Sequence, residues 1–321
     1  MSRMDLPRIG VEHLSEIGYA EPMSNLNLYA VTVAIWGSTW LAITFQLGVV
    51  PPSVSVVWRF ALSALMLLAY AVWKRLPLHF SRRDHFWMAL QGLFLFGVNY
   101  VLTYISEQYL VSGLVAVIFS LMIFLNIVGM RVFFGRPINP IGFLAAMLGV
   151  VGVGLVFWPE LSRFSLARSE LIGALFAAVA MTLASLGSMV ATHNQRMPVV
   201  QVNGFAMMYG AGFVALYATV SGDRFAFDWS FPYVASLLYL ALFGSVFAFG
   251  AYLTLMKRIG ADRAGYSAVA IPVVALVLST LFEDIQWQTP MLLGVGLCLA
   301  GNVLMLARGR LSRLGTSAAP P

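Results

Sequence analysis

Long apolar runs, separated by short polar segments, fill most of the 321-residue chain. A bilayer crossing by a helix takes about 20 apolar residues. Ten runs reach or approach that length, at about 28–48, 53–73, 86–106, 111–130, 139–157, 170–192, 199–220, 232–256, 264–282 and 290–307. Pro51, Pro52, Pro77, Pro137, Pro140, Pro159, Pro198, Pro232 and Pro290 fall between the runs or in their first turns. There the missing N–H of proline costs little. The pattern predicts an all-α membrane protein of ten spans. The polar stretch 1–27 is expected as an N-terminal cytosolic tail, with Met23 an alternative to Met1 as the start, and 308–321 as a cytosolic C-terminal tail.

Composition supports the membrane reading. Sixty per cent of the residues are hydrophobic and ten per cent charged, against about 25% charged in a soluble domain. The net charge of +6 therefore bears on orientation rather than on nucleic acid. With the N-terminus placed in the cytosol, fifteen of the nineteen basic residues fall on the inner side. Arg163, Arg168 and Arg224 fall outside, and Arg59 lies within a span. An inner excess of Lys and Arg is the usual signature of orientation, so both termini are expected in the cytosol. Trp73, Trp87, Trp158, Trp229 and Trp287 mark span ends, where amphipathic rings settle at the interface.

The chain also resembles itself. A shift of 152 residues places Tyr100 on Tyr252, Gly113 on Gly265, Ala116 on Ala268, Val117 on Val269, Gly142 on Gly294 and Gly149 on Gly301. Residues 28–157 and 170–307 then form two five-span repeats joined by an outer loop, 158–169. Five is odd, so the second repeat enters the membrane the other way up. Inverted repeats around a midplane site are characteristic of secondary transporters.

The segments "AIWGSTWLAI", "VWRFALSALMLL" and "SEQYLVSGLVAVIFS", with the pairs Gly142…Gly149 and Gly294…Gly301, resemble the EamA-type branch of the drug/metabolite transporter superfamily over residues 28–307. The resemblance implies a basket-shaped bundle with a central cavity. Spans 1–4 and 6–9 would line it, and spans 5 and 10 would pack outside. The family has proline near the middle of spans 4 and 9; here Ser120 and Pro272 occupy those places. A Gly-Glu pair common after span 4 reads Gly135-Arg136 here, so no role of that Glu carries over.

Within the apolar runs, polar residues are few and concentrated. On a helix, Tyr100, Tyr104 and Glu107 form one stripe and Asn99, Thr103 and Ser106 the adjacent one. Lipid cannot satisfy these groups, so the face is expected to point into the bundle. Thr103 and Ser106 read as helix packing groups. Asn99, Tyr100 and Tyr104 are as consistent with a cavity wall as with packing. Arg59 is expected about 9 Å inside the outer surface, at 1.5 Å per residue, and Glu107 near the outer end of span 3. They could form a structural ion pair, an outer gate or a substrate contact, or Arg59 could snorkel outward. Trp36 and Trp40 share a face of span 1 with Ser38 between them, and with Tyr252 they could complete an aromatic wall. Ser120 and Pro272 complete the candidate cavity set. Ser185 and Ser188 read as packing residues, and Gln201 and Asn203 as reaching the headgroups.

Several classes are disfavoured. One cysteine, Cys298, allows no disulfide within the chain, and the four histidines lack metal-ligand spacing. No Walker loop or nucleophile–His–acid set occurs, and permanently charged Arg59 cannot serve as a general base. No enzymatic activity and no cofactor are expected. The expected function is secondary-active export of a small metabolite, such as an amino acid or related amphipathic compound, from an inner membrane. The alternative is a lipid-handling or structural membrane protein. The partners expected are the small-molecule substrate, the lipid bilayer and, through spans 5 and 10, a second copy of the chain; nucleic acid is not among them.

Overall fold

The computed structural model describes residues 23–110, 112–163, 168–282 and 287–316. Most of the N-terminal tail, part of the 158–169 loop and the end of the C-terminal tail lie outside the described residues. The main helices are α1 (Asn25–Thr44), α2 (Pro52–Trp73), α3 (Arg82–Ser106), α4 in two pieces (Ser112–Ser120 and Met122–Phe134), α5 (Pro140–Val156), α6 (Arg168–His193), α7 (Val199–Val220), α8 (Phe231–Ile259), α9 (Ser267–Phe282) and α10 (Thr289–Thr316).

Local chemistry sets their ends. Ser24 caps α1 by accepting from the Asn27 amide, and Ser81 with Asp84 forms a capping box at α3. Asn139 caps α5 ahead of Pro140. Gly135 ends α4 in the left-handed region, at φ 66°, where a side chain would be strained.

Among the described residues, seven helices are long and apolar enough to cross a membrane: α1, α2, α3, α4 from Leu114, α6, α7 and α8. The remaining three predicted spans differ in length. α5 has 17 residues, about 26 Å at 1.5 Å per residue, against a hydrocarbon core of about 30 Å. The apolar part of α10, Thr289–Met305, is equally short, and α9 has 16 residues. The outer surface is apolar in the manner of a protein bathed in lipid: Leu65, Val132, Leu175, Leu216 and Val303 are each about two-thirds exposed. The protein is a multi-pass membrane protein.

α5 and α10 pack against each other through glycine. A Cβ on Gly152 would lie 2.7 Å from the Gly294 carbonyl, and one on Gly301 2.8 Å from the Ala145 carbonyl. The glycine faces of these two helices are thus used within the chain, leaving Leu144, Met147, Leu293 and Leu299 on the outside. α7 lies against α2 and α3, and Gly210 brings its backbone beside Gly92.

Two helices contain a π-helical segment, Gly92–Gly97 in α3 and Leu240–Phe247 in α8. The 152-residue shift places Gly92 on Gly244, so the irregularities overlap under the same register as the repeat.

Side chains join the segments that the charge pattern assigns to one side. Arg196 pairs with Asp84 at 2.5 Å and Arg136 with Asp262 at 3.6 Å. Arg258 donates to the Met23 carbonyl at 2.6 Å. At the other end, Ser53 donates to Asp223 at 2.5 Å, and Gln46 donates to the Tyr233 carbonyl at 2.9 Å.

Candidate functional site

A cavity of about 120 Å³ opens at the centre of the bundle. Its walls come from α1 (Trp36, Thr39, Trp40, Ile43), α2 (Arg59), α3 (Leu95, Asn99, Tyr100, Thr103), α4 (Ala116, Phe119, Met122), α6 (Ala184, Ser188), α8 (Phe249, Tyr252) and α9 (Ser267, Ala268, Ile271, Pro272). Among the described residues, none of the wall comes from α5 or α10. None comes from α7 either, which departs from the lining by spans 1–4 and 6–9 that the family resemblance implies. The glycine contacts hold α7 against the backs of α2 and α3, one layer away from the centre.

The aromatic wall is one connected surface. The Trp36 ring lies 4.8 Å from Phe249 and 5.0 Å from Tyr252, and Trp40 lies 5.7 Å from Phe119. The π segment of α8 contributes to its position. Trp36 Nε1 donates to the Gly244 carbonyl at 3.0 Å, which fixes the indole against α8. One residue on, the Ser245 hydroxyl donates to the Leu240 carbonyl, five residues back, at 2.9 Å. Its lone pairs are thereby left to accept from Arg59 Nε at 3.0 Å.

Arg59 is the largest charged group buried in the bundle, with 1% of its surface exposed. Its Nη1 donates to the Tyr104 hydroxyl at 3.4 Å. The guanidinium carbon stands 4.7 Å from the centre of the Tyr100 ring and 5.2 Å from that of Phe60. All of these partners are neutral. Snorkelling does not occur, because the side chain is enclosed between α3 and α8.

The expected Arg59–Glu107 pair is not formed. No carboxylate stands within ion-pair distance of Arg59 among the described residues. Both Glu107 carboxylate oxygens are buried without a hydrogen-bond partner. The reason is local: Ser245 and Tyr104 take up two guanidinium N–H groups, and Glu107 lies beyond Tyr104 on the turn that caps α3.

Other sequence candidates divide plainly. Trp36, Trp40, Arg59, Asn99, Tyr100, Tyr252 and Pro272 face the cavity. Three do not. Ser38 meets the Tyr239 hydroxyl at 2.5 Å, Tyr104 is fully buried behind Arg59, and the Ser120 hydroxyl donates to the Val117 carbonyl at 2.6 Å. Along α3, Thr103 donates to the Asn99 carbonyl and Ser106 to the Thr103 carbonyl, so their hydroxyls are satisfied within the helix. Asn99 differs: it is 4% exposed and its Oδ1 has no hydrogen-bond partner.

Two polar clusters were not foreseen from the sequence. Asn203 is buried rather than at the headgroups, and accepts from Gln91 at 3.3 Å. Gln91 in turn accepts from Asn194 at 2.9 Å. Gln201 is buried as well. Ser185 is buried, as expected of a packing residue, and donates to Asn126 at 2.8 Å. Each partner lies on a distant run, and an isolated Gln or Asn carries no sign of where its partner is.

A model of the EamA-like transporter family matches the chain twice, over residues 25–158 and 171–307. The chain belongs to the EamA-like transporter family. It is thereby a member of the drug/metabolite transporter superfamily. Similar proteins include the uncharacterized transporter YoaV of Bacillus subtilis, 24% identical over 86% of this chain and 94% of that protein. The uncharacterized inner membrane transporter YedA of Escherichia coli K12 is 27% identical over 81% of this chain and 84% of its own length. A solved crystal structure that is 19% identical superposes with a TM-score of 0.73, over 88% of this chain and 97% of that one. It shares the fold of this EamA-type chain.

Proposed function

We propose that this EamA-type protein is a ten-span secondary transporter that exports a small metabolite, an amino acid or related amphipathic compound, by alternating access at the central cavity. The supporting observation is the cavity itself: an aromatic wall with one buried guanidinium and one unsatisfied amide oxygen, enclosed by both halves of the chain. An engineered cavity of about 150 Å³ holds benzene, whereas pockets for drug-sized ligands are about 300–1,000 Å³. The present volume therefore suits a molecule with a body of benzene size.

In this reading the shorter α5, α9 and α10 also cross the bilayer, with local thinning or oligomerisation covering their mismatch. Residues 28–157 and 170–307 act as two inverted repeats. The overlapping π segments and the twofold family match support that symmetry. Both termini stay in the cytosol of a cell whose inner membrane holds the protein. The basic bias supports this, since segments assigned to one side also touch one another.

Efflux profiling tests the function. Cells overproducing the protein, preloaded with an amino-acid and metabolite panel, should release one chemical class faster than cells carrying a Tyr252→Ala variant. Equal release of every compound, with both proteins present in the membrane, would overturn transport of small metabolites.

A further inference from the structure

Glu107 lies on the turn that follows α3, between the buried Ser106 and the exposed Gln108. The residue is half-buried, yet both carboxylate oxygens are shut off from solvent and neither has a hydrogen-bond partner. Its head is turned inward at the end of the bundle assigned to the outside, while Gln108 and Tyr109 beside it are exposed.

Two opposing forces act on that carboxylate. Burial without a donor penalises the ionised form. The Arg59 guanidinium favours it, acting through space past Tyr104. The other elements around this turn bring little charge. α6 packs beside it, with Gly173 against Tyr109 and Leu110, and carries Glu170 in its first turn. On α8, Tyr233 shares a hydrogen bond with Ser55 at 3.1 Å and acts on Tyr104. The first piece of α4, Ser112–Ser120, holds no titratable side chain. A proton suits the site better than a metal ion. Hard cations such as calcium take about 6–8 oxygen ligands. Among the described residues no metal-holding cluster occurs, and the guanidinium repels a second cation. A proton forms one O–H bond on the carboxylate and removes its charge.

That charge bears on how the two halves of the chain meet. Arg59, in the first half, donates to Ser245 of the second at 3.0 Å and to Tyr104 of the first at 3.4 Å. An ionised Glu107 draws the guanidinium toward α3, and a protonated one leaves it to Ser245. Proton binding thus biases a contact between the halves, and motion of one half against the other is what alternating access requires. We infer that Glu107 carries the coupling proton of the transport cycle, taking it up at the outer end and releasing it toward the cytosol as substrate leaves. This deepens the transport reading and rests on it.

Proton binding and coupling are measured separately. Infrared difference spectra of the full chain in detergent, stepped between alkaline and acid buffer, should show a carboxylic-acid C=O band that is missing in Glu107→Gln. That variant should fold, because the carboxylate gives up no hydrogen bond. If it does not, Glu107→Asp decides: its band should be displaced from that of the wild type in frequency or in pH midpoint. Identical spectra for the wild type and a folded variant would overturn the inference. For coupling, proteoliposomes are loaded with the standard amino acids and a luminal pH dye. Acidifying the outside should speed amino-acid release at least threefold in the wild type, with the lumen acidifying as release proceeds. Glu107→Gln should release amino acids at one rate with or without the gradient. Equal acceleration of both proteins, or wild-type release that ignores the gradient, would overturn the proton role and leave transport standing. A titrating Glu107 band with no release from either protein refutes transport of amino acids and leaves the proton site standing.

Discussion

Ser245 and Trp36 show how much of the cavity depends on single hydrogen bonds. Ser245 both donates to Leu240 and accepts from Arg59. Removing its hydroxyl deprives a buried cation of an acceptor, a loss of about 1–3 kcal/mol when nothing replaces it. Ser245→Ala should accordingly lower the unfolding midpoint in detergent and reduce the protein recovered from membranes. A midpoint equal to wild type would mean that Arg59 finds another acceptor at once. Trp36→Phe keeps the packing against Phe249 and Tyr252 but loses the bond to the Gly244 carbonyl. Its expected effect is a severalfold rise in KM for efflux at unchanged membrane abundance, and an unchanged KM would remove Trp36 from the site.

At the scale of elements, the two π segments and the glycines beside them determine which helices touch. Gly92 begins the π segment of α3 and faces the α7 backbone. A Cβ there would collide with the Ala206 carbonyl and come within 2.8 Å of the Gly210 nitrogen. Backbone atoms cannot swing aside as a side chain can. Gly92→Ala should therefore cost at least the ~1–3 kcal/mol typical of overpacking, seen as reduced yield and a lower midpoint. Gly250, just beyond the other π segment, has nothing within 4 Å of its Cβ position. Gly250→Ala should leave the midpoint unchanged or raise it slightly, since alanine is the better helix former. Equal behaviour of the two variants would show that the α3–α7 contact yields without cost. Pro272 in α9 works in the opposite sense. It withholds the hydrogen bond that the Ala268 carbonyl would receive in a regular helix, and both residues border the cavity.

For the whole molecule, side-chain contacts tie the helices together at both ends of the bundle. Ser53–Asp223 joins the first turn of α2 to the α7–α8 loop at the end assigned to the outside. If alternating access opens that end, cross-linking Ser53→Cys to Asp223→Cys in a Cys298→Ala background should block efflux until a reductant is added. Efflux through the cross-linked protein would show that these two segments do not separate. Orientation is tested independently. A cytosol-active reporter fused after Arg313 should be active, and a periplasm-active one silent; the reverse would overturn the placement of both termini.

Membership in a multi-pass helical class was legible in the sequence because apolar runs and prolines are local features. A run of 20 apolar residues has few other stable outcomes, whatever its neighbours do. The crowding of polar groups on one face of α3 was legible for the same reason, as helical periodicity alone places Asn99 and Tyr100 together. The partner of each group was not. Arg59 and Glu107 lie 48 positions apart on adjacent runs, and opposite charge made their pairing the natural expectation. Ser245, 186 positions from Arg59, became the partner instead because a π turn in α8 presents its hydroxyl at that depth. Similarly, Gln91 and Asn203 look like isolated polar residues until α3 and α7 come together. Sequence periodicity determines which face of a helix is polar. Only the packing of one helix on another determines what that face meets, because hydrogen bonds and charge pairs depend on distances of a few ångströms between residues far apart in the chain.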